Sequence, residues 1–287
     1  VIRQLLVSSR PLSWVNTAFP FAAAYLLTTR EVDLRLVLGT LFFLIPYNLA
    51  MYGINDVFDY ESDLRNPRKG GVEGALLDPR VHRATIIASV VTTVPFVVAL
   101  VILGSPLSWL VLAVSLFAVV AYSAPVLRFK ERPFLDSLTS STHFVSPAVY
   151  GLALAGATPT WPLVALLAGF FAWGVGSHAF GAVQDVNADR EAGIGSIATV
   201  IGARATVRFA IGAYLAGGVL LLVTPWPGPL AALLVLPYVA MCWPYRSVAD
   251  ADAETANRGW RRFLWLNYAV GFPATLLLIW WALANPA

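Results

Sequence analysis

Charge is what this chain has least of. Of its 287 residues 12% are Asp, Glu, Lys or Arg, about half the roughly 25% usual in soluble domains, while 58% are apolar. That imbalance excludes an ordinary soluble globule, which could not hide so much apolar surface. Cysteine is nearly absent too: Cys242 stands alone, so no disulfide can form within the chain, and the redox compartment cannot be read from it. Alternating polarity is missing from the long apolar runs, such as Ala84 to Leu103 and Phe263 to Leu283, which excludes membrane barrel strands. Lipid admits only helices or closed barrels, because every backbone polar group must be satisfied internally. An all-α membrane protein remains.

Cutting at Gly, Pro and charged clusters leaves nine apolar segments, near 12–29, 36–54, 84–103, 107–123, 134–155, 161–182, 205–223, 229–245 and 262–283. Each is long enough, or nearly so, to cross a hydrocarbon core about 30 Å thick. The expectation is a polytopic bundle of nine transmembrane helices forming one integral membrane domain over 1–287, with halves near 1–133 and 134–287. Loop charge supports that count, because cytoplasmic loops collect Lys and Arg. Arg3 and Arg10 precede the first segment, and Arg65, Arg68, Lys69, Arg80 and Arg83 follow the second. Arg128, Lys130 and Arg132 follow the fourth, Arg190, Arg204 and Arg208 the sixth, and Arg246, Arg258, Arg261 and Arg262 the eighth. Of 19 basic residues only Arg30 and Arg35 fall on the other side, leaving 17 on one. The amino end is therefore expected in the cytoplasm and the carboxyl end outside, in a multi-pass protein of the cell membrane. A formal net charge of +3 then reflects topology and an anion site, and calls for no nucleic-acid partner. Ala22, Ala23 and Ala24 are read as part of a span, not a signal-peptide cleavage site, because cleavage would invert the remaining helices against their basic loops.

The acidic residues carry the chemistry, since an ionised side chain at membrane depth costs at least about 2.5 kcal/mol. They fall in two clusters. Asn55, Asp56, Asp59 and Asp63 stand where the second segment meets its basic loop, and Asp185 and Asp189 stand at the same end of the sixth. Steps of three and four place Asp56, Asp59 and Asp63 on one helical face, and Asp185 with Asp189 on another. Stacked carboxylates repel unless a cation sits among them, and all-oxygen ligands suit Mg2+, which completes its shell with water and substrate phosphate. Such carboxylates could merely face water, paired with Arg65 and Arg190. Two clusters of matching spacing, at matching helix ends an even number of spans apart, argue instead for convergence on one diphosphate. Arg65, Arg68, Lys69, Arg128 and Lys130 supply nearby cations for its oxygens, although topology alone also puts basic residues there. His143 and His178 lie inside expected spans. His178 precedes Asp185 by seven residues and shares its face two turns deeper, which makes it, with Asn16, a candidate for the wall of an acceptor cavity.

At these residues the chain closely resembles the UbiA superfamily of intramembrane prenyltransferases. Asn55, Asp56, Asp59 and Asp63 fit that family's Asn-Asp-x-x-Asp-x-x-x-Asp motif, and Asp185 and Asp189 its second Asp-x-x-x-Asp. Asn66-Pro67-Arg68-Lys69, Tyr122-Ser123-Ala124-Pro125 with Arg128 and Lys130, and Asp189-Arg190 leading to Gly193 match as well. The resemblance implies Mg2+ on Asp56, Asp59, Asp63, Asp185 and Asp189, with Asn55 holding a ligand or the diphosphate. It implies diphosphate contacts from Arg68, Lys69 and Lys130, with Arg10, Tyr122 and Arg128 as further candidates. Asn55, Asp56, Asp59 and Asp185 are the expected catalytic set. Ala182 stands where many members carry an acidic residue, and Gly74-Ala75-Leu76 where many carry Arg-Pro-Leu, which argues against the quinone branches.

Within the superfamily the chain looks most like the lycopene elongases of C50 carotenoid synthesis, through the stretches Ser9 to Pro20 and Ser177 to Asp185. That implies dimethylallyl diphosphate as donor and lycopene as acceptor. An aromatic acceptor of the quinone or haem pathways would use the same acidic site, so the residues alone leave both open. A cation transporter would need charge deeper in the bundle, and the signature of CDP-alcohol phosphotransferases is absent.

Overall fold

The computed structural model describes residues 1–64 and 76–285, and all regular structure among them is helical. Two compact units divide the chain. Val1–Phe129 and His143–Ala157 form the first, and Lys130–Thr142 with the chain from Thr158 onward form the second.

The first unit opens with α1 (Ile2–Ser8), then α2 (Val15–Thr29), α3 (Leu34–Leu44), α4 (Pro46–Phe58), the short α5 (Tyr60–Asp63), α6 (Pro79–Ile102) and α7 (Pro106–Ser123). Helix starts follow local chemistry. Asp33 caps α3 by accepting the Leu36 N–H at 2.9 Å, Asp78 accepts the Arg80 N–H ahead of α6, and Ser105 and Ser108 close a reciprocal capping box at α7. Pro46, Pro79 and Pro106 open their helices at the position where a missing N–H costs nothing.

α3 and α4 form one span, Leu34–Phe58, bent at Ile45. The bend leaves carbonyls to satisfy. Asn48 Nδ2 donates to Phe43 O at 2.8 Å and Leu44 O at 3.1 Å, and Thr17 Oγ1 donates to Phe43 O at 2.7 Å. Without these donors the carbonyls would stand bare at membrane depth, which costs several kcal/mol per group in hydrocarbon. Below the bend lies an aromatic core of Phe21, Tyr25, Phe42, Phe43, Tyr47 and Tyr150, all fully buried. Its rings meet at offset and edge-on angles, Phe42 on Phe43 at 4.9 Å and Phe21 on Phe43 at 5.3 Å.

α8 (Leu135–Leu154) gives its residues up to Thr142 to the second unit and those from His143 to the first. The second unit continues with α9 (Trp161–Val183), α10 (Val186–Glu191), α11 (Ile197–Leu221), a 3-10 turn at Gly228–Val235 running into α12 (Leu236–Cys242), and α13 (Asn257–Ala284). α9 packs along α11 at backbone contact: a Cβ on Gly217 would lie 2.9 Å from Gly169 O. Only glycine permits that approach, the small-residue packing expected where lipid supplies no hydrophobic drive between helices. Phe180, Val183, Ile197, Val207, Tyr214 and Cys242 fill the core around it.

Helices form at all nine apolar segments. Seven stretches among the described residues are long and apolar enough to cross a membrane: Leu34–Phe58, Pro79–Ile102, Pro106–Ser123, Trp161–Val183, Ile197–Leu221, Gly228–Tyr245 and Asp250–Ala284. α2 has 15 residues, and α8 has 20 but is interrupted by Ser, Thr and His. The expected uniform helix over 229–245 is in fact 3-10 helix for its first half, because Pro227, Pro229 and Pro237 remove the N–H groups a continuous α-helix would use there.

Candidate active site

In the first unit the acidic cluster closes α4. Asp56 lies on its last turn and Asp59 caps it, the two residues 1% and 3% exposed. Asp56 is held from both sides: Ser8 Oγ donates to Oδ2 at 2.8 Å and Arg10 Nη2 to Oδ1 at 3.1 Å. α1 delivers these two groups by lying against α4. The Arg10 guanidinium also stacks on Tyr52, 4.2 Å from the ring centre, and its Nε is buried without a hydrogen-bond partner. Asn55 Nδ2 donates to Asp59 Oδ2 at 2.6 Å and to Ser123 Oγ at 2.9 Å, while Arg128 Nη2 stands 3.9 Å from Asp59 Oδ1. Buried carboxylates are tolerable only when paired in this manner.

Arg10 and Arg128 share a second property. Their φ angles are 52° and 39°, left-handed conformations that cost a non-glycine residue about 1–3 kcal/mol and collect at functional sites. Arg10 and Arg128 thus each face a buried carboxylate from a strained backbone. Tyr122, on the last turn of α7, packs its ring edge-on against His143 at 5.2 Å, and Asn16 sits half-buried on α2. Asp63 ends α5, its side chain outside the described residues, and Arg65, Arg68 and Lys69 lie outside them altogether. The expected single helical face through Asp56, Asp59 and Asp63 is corrected in one respect: α4 stops at Phe58, and the chain turns at Asp59 before α5.

In the second unit Asp185 occupies the same kind of joint. α9 ends at Val183, Gln184 caps it, and Asp185 precedes α10, which carries Asp189. α10 is anchored from outside. Arg190 Nη2 and Nε donate to Thr199 O at 2.9 and 3.1 Å and its Nη1 pairs with Asp250 at 2.6 Å, while Asn187 Nδ2 donates to Asp250 O at 2.9 Å. Its end is a Schellman turn: Ile194 N–H reaches Asp189 O at 2.8 Å and Gly193 N–H reaches Arg190 O at 3.2 Å. Gly193 holds φ 71°, which explains a glycine four residues after Asp189. Asp185 and Asp189 are half-buried. Gln184 accepts from Asn257 Nδ2, Lys130 Nζ is 4.0 Å from Glu131, and His178 Nδ1 lies 3.1 Å from Ser137 Oγ.

The donor set suits Mg2+. It is all oxygen, offered in buried or half-buried pairs at helix ends beside cations that fit phosphate. Among the described residues no three His, Cys, Asp or Glu groups gather closely enough to cage a metal alone, and Mg2+ is ordinarily held by one or two carboxylates with water and phosphate completing its shell. Ser8, Tyr52, Ser123 and Asn257 were not singled out by the sequence. Ser123 lies inside the Tyr122-Ser123-Ala124-Pro125 stretch, and the others are joined to the clusters by contacts that no local spacing signals.

Residues 17–284 match the UbiA prenyltransferase family. The chain is 56% identical over 278 residues to the lycopene elongase/hydratase of Corynebacterium glutamicum, covering 97% of each. It is 60% identical over 281 residues to the C(50) beta-cyclic carotenoids biosynthesis protein LbtBC of Dietzia sp., covering 98% of this chain but 65% of that protein. In three dimensions it is similar to a UbiA homolog from Archaeoglobus fulgidus bound to DMAPP and Mg2+, with a TM-score of 0.67 and 19% identity, over 93% of this chain and 98% of that one.

Proposed function

The chain belongs to the UbiA prenyltransferase family, and from that premise we propose that it is a lycopene elongase of C50 carotenoid synthesis. It ionises dimethylallyl diphosphate and joins the five-carbon unit to lycopene. The observation that carries this reading is identity above half, over 97% of both chains, with an enzyme named for that reaction. The donor is supported by the dimethylallyl diphosphate and Mg2+ named for the Archaeoglobus relative.

In this reading Asp56, Asp59, Asp63, Asp185 and Asp189 hold Mg2+, which when bound neutralises the leaving diphosphate and favours heterolysis. Asn55 fixes the Asp59 carboxylate through its amide. Arg10 brings a buried Nε–H to a diphosphate oxygen, and Arg128, Arg68, Lys69, Lys130 and Tyr122 supply further donors. Asn16 and His178 line the acceptor cavity, which keeps water from the allylic cation. The rate enhancement is electrostatic: fixed donors face charge that develops on the leaving group.

The proposal extends to topology. α2 and α8 join the seven long spans to make nine crossings in one membrane domain, with the amino end and the acidic site on the cytoplasmic side and the carboxyl end outside. The basic loops support that orientation. Expression in lycopene-producing cells tests the acceptor: longer carotenoids are expected, and unchanged lycopene overturns it. Membranes given radiolabelled dimethylallyl diphosphate test the reaction class, where the absence of magnesium-dependent transfer to any acceptor overturns the enzyme reading.

A further inference from the structure

The reaction just proposed ends on a charge that no residue named so far removes. When the dimethylallyl cation meets a terminal double bond of the polyene, the π pair forms the new C–C bond and leaves a tertiary cation on the neighbouring carbon. A base must then take a proton. Carboxylates committed to a metal are poor candidates, because the metal holds their lone pairs.

The second unit contains an array suited to that task. His178 lies on α9 seven residues before Asp185, which stands two residues beyond the end of that helix. Ser137, buried, stands 3.1 Å from its Nδ1. Ser137 follows Asp136, whose carboxylate is fully buried and immobilised: Oδ1 accepts the Ser137 N–H at 2.7 Å and Oδ2 the Ile197 N–H at 2.8 Å. Ile197 opens the short segment of α11 that precedes the kink at Gly202, so the carboxylate also ties the start of that segment to α8. Ser137 joins the two, its main-chain N–H meeting the Asp136 carboxylate and its hydroxyl meeting the His178 ring. A fixed negative charge near an imidazole stabilises the imidazolium that forms when the ring takes a proton.

We propose that His178 is the general base that ends the reaction, with Ser137 and Asp136 as positioning residues; this rests on the lycopene elongase reading. The tautomer with hydrogen on Nδ1 donates it to Ser137 Oγ and carries its lone pair on Nε2. When water attacks the tertiary cation, an oxygen lone pair forms the C–O bond. The O–H pair stays on oxygen and the proton passes to Nε2, leaving a tertiary alcohol and an imidazolium that returns its proton to solvent. Loss of a proton from an adjacent C–H gives the same imidazolium, with the C–H pair becoming the new double bond. Both routes conserve charge and need no oxidant.

Purified protein in liposomes, given dimethylallyl diphosphate, Mg2+ and lycopene, separates the steps by reading diphosphate release and elongated carotenoid independently. In His178→Ala and His178→Gln, carotenoid formation is expected to fall about 100-fold or more, while diphosphate release stays within about threefold. Added imidazole should restore part of the product in His178→Ala, a rescue that a structural role would not show. Ser137→Ala should lower product formation with diphosphate release intact, and Ser137→Thr should recover it. Wild-type product levels in His178→Gln, or a parallel loss of both readouts that imidazole does not relieve, would overturn the assignment. If the wild type releases diphosphate but makes no elongated lycopene, the acceptor reading fails instead.

Discussion

Asp59 and Asp185 adopt the same backbone conformation, φ −97° and ψ −1° for one, φ −96° and ψ −3° for the other. Each stands at the joint between a long apolar helix and a short one, and each is followed four residues later by a second aspartate. The shared angles belong to the sparsely populated bridge region where active-site residues are often found. A helix that ran straight through would carry its carboxylates on in a spiral, whereas the joints at Asp59 and Asp185 end each long helix there.

The first prediction concerns these two residues. Asp59→Ala and Asp185→Ala should each abolish turnover, by about 100-fold or more, while the protein still inserts and folds. In the proposed reading the loss of one ligand is enough, because the Mg2+ that would balance the diphosphate charge is then held too weakly. Membrane expression level together with prenyl transfer checks it, and retained activity in either variant would break the two-cluster assignment.

Much of this was legible in the sequence, for physical reasons. Long apolar runs locate spans because lipid imposes a minimum length, and helices occur at every one of the nine segments. The two acidic clusters stood out because charge is scarce. The breaks at Asp59 and Asp185 did not, since spacings of three and four read equally well as continuous helix. Ser8 reaches Asp56 across 48 positions and Asn257 reaches Gln184 across 73. Such contacts are set by packing, and no local pattern announces them. Arg65, Arg68 and Lys69 fall outside the described residues.

Gly193 offers a test of how α10 presents Asp189. A Cβ there would meet nothing within 4 Å, so any cost of substitution arises from φ 71° alone. Gly193→Val should destabilise the turn by about 1–2 kcal/mol and reduce activity as α10 frays, whereas Gly193→Asn should be milder, because Asn tolerates the left-handed region. Thermal unfolding in detergent, with activity measured alongside, distinguishes the two; equal effects from both would remove the backbone explanation.

Asp33 should make a modest contribution that depends on pH. Partial burial pushes its carboxyl up, but the Leu36 N–H, the Tyr25 hydroxyl and nearby Arg35 outweigh that and hold it below the ordinary value of 3.8. A carboxyl depressed in the folded state contributes stability above its unfolded pKa and loses it as pH falls through the folded pKa. The α3 cap should therefore weaken only below about pH 4. Asp33→Asn keeps an acceptor for Leu36 and should flatten that acid limb, while Asp33→Ala should lose about 1 kcal/mol at neutral pH. Melting temperatures across an acid series check both.

In the proposed reading Arg10 and Mg2+ both use the Asp56 carboxylate, and this yields a prediction with two opposite signs. With Arg10 Nη2 at 3.1 Å from Asp56 Oδ1, the guanidinium already neutralises that buried charge. A cation arriving at Asp56 must displace it or share the carboxylate. In Arg10→Ala the carboxylate keeps its Ser8 bond but loses the guanidinium that competes for Oδ1, so Mg2+ alone should bind more tightly than in the wild type. Turnover should fall nonetheless, by about tenfold to 100-fold, because the guanidinium that meets the diphosphate is gone. Arg10→Lys should not restore it, since an ammonium cannot reproduce both the flat stack on Tyr52 and the forked contact. Calorimetric Mg2+ titration without substrate, set beside steady-state prenyl transfer, reads the two effects separately. Weaker magnesium binding in Arg10→Ala would mean that Arg10 supports the carboxylate site instead of competing for it.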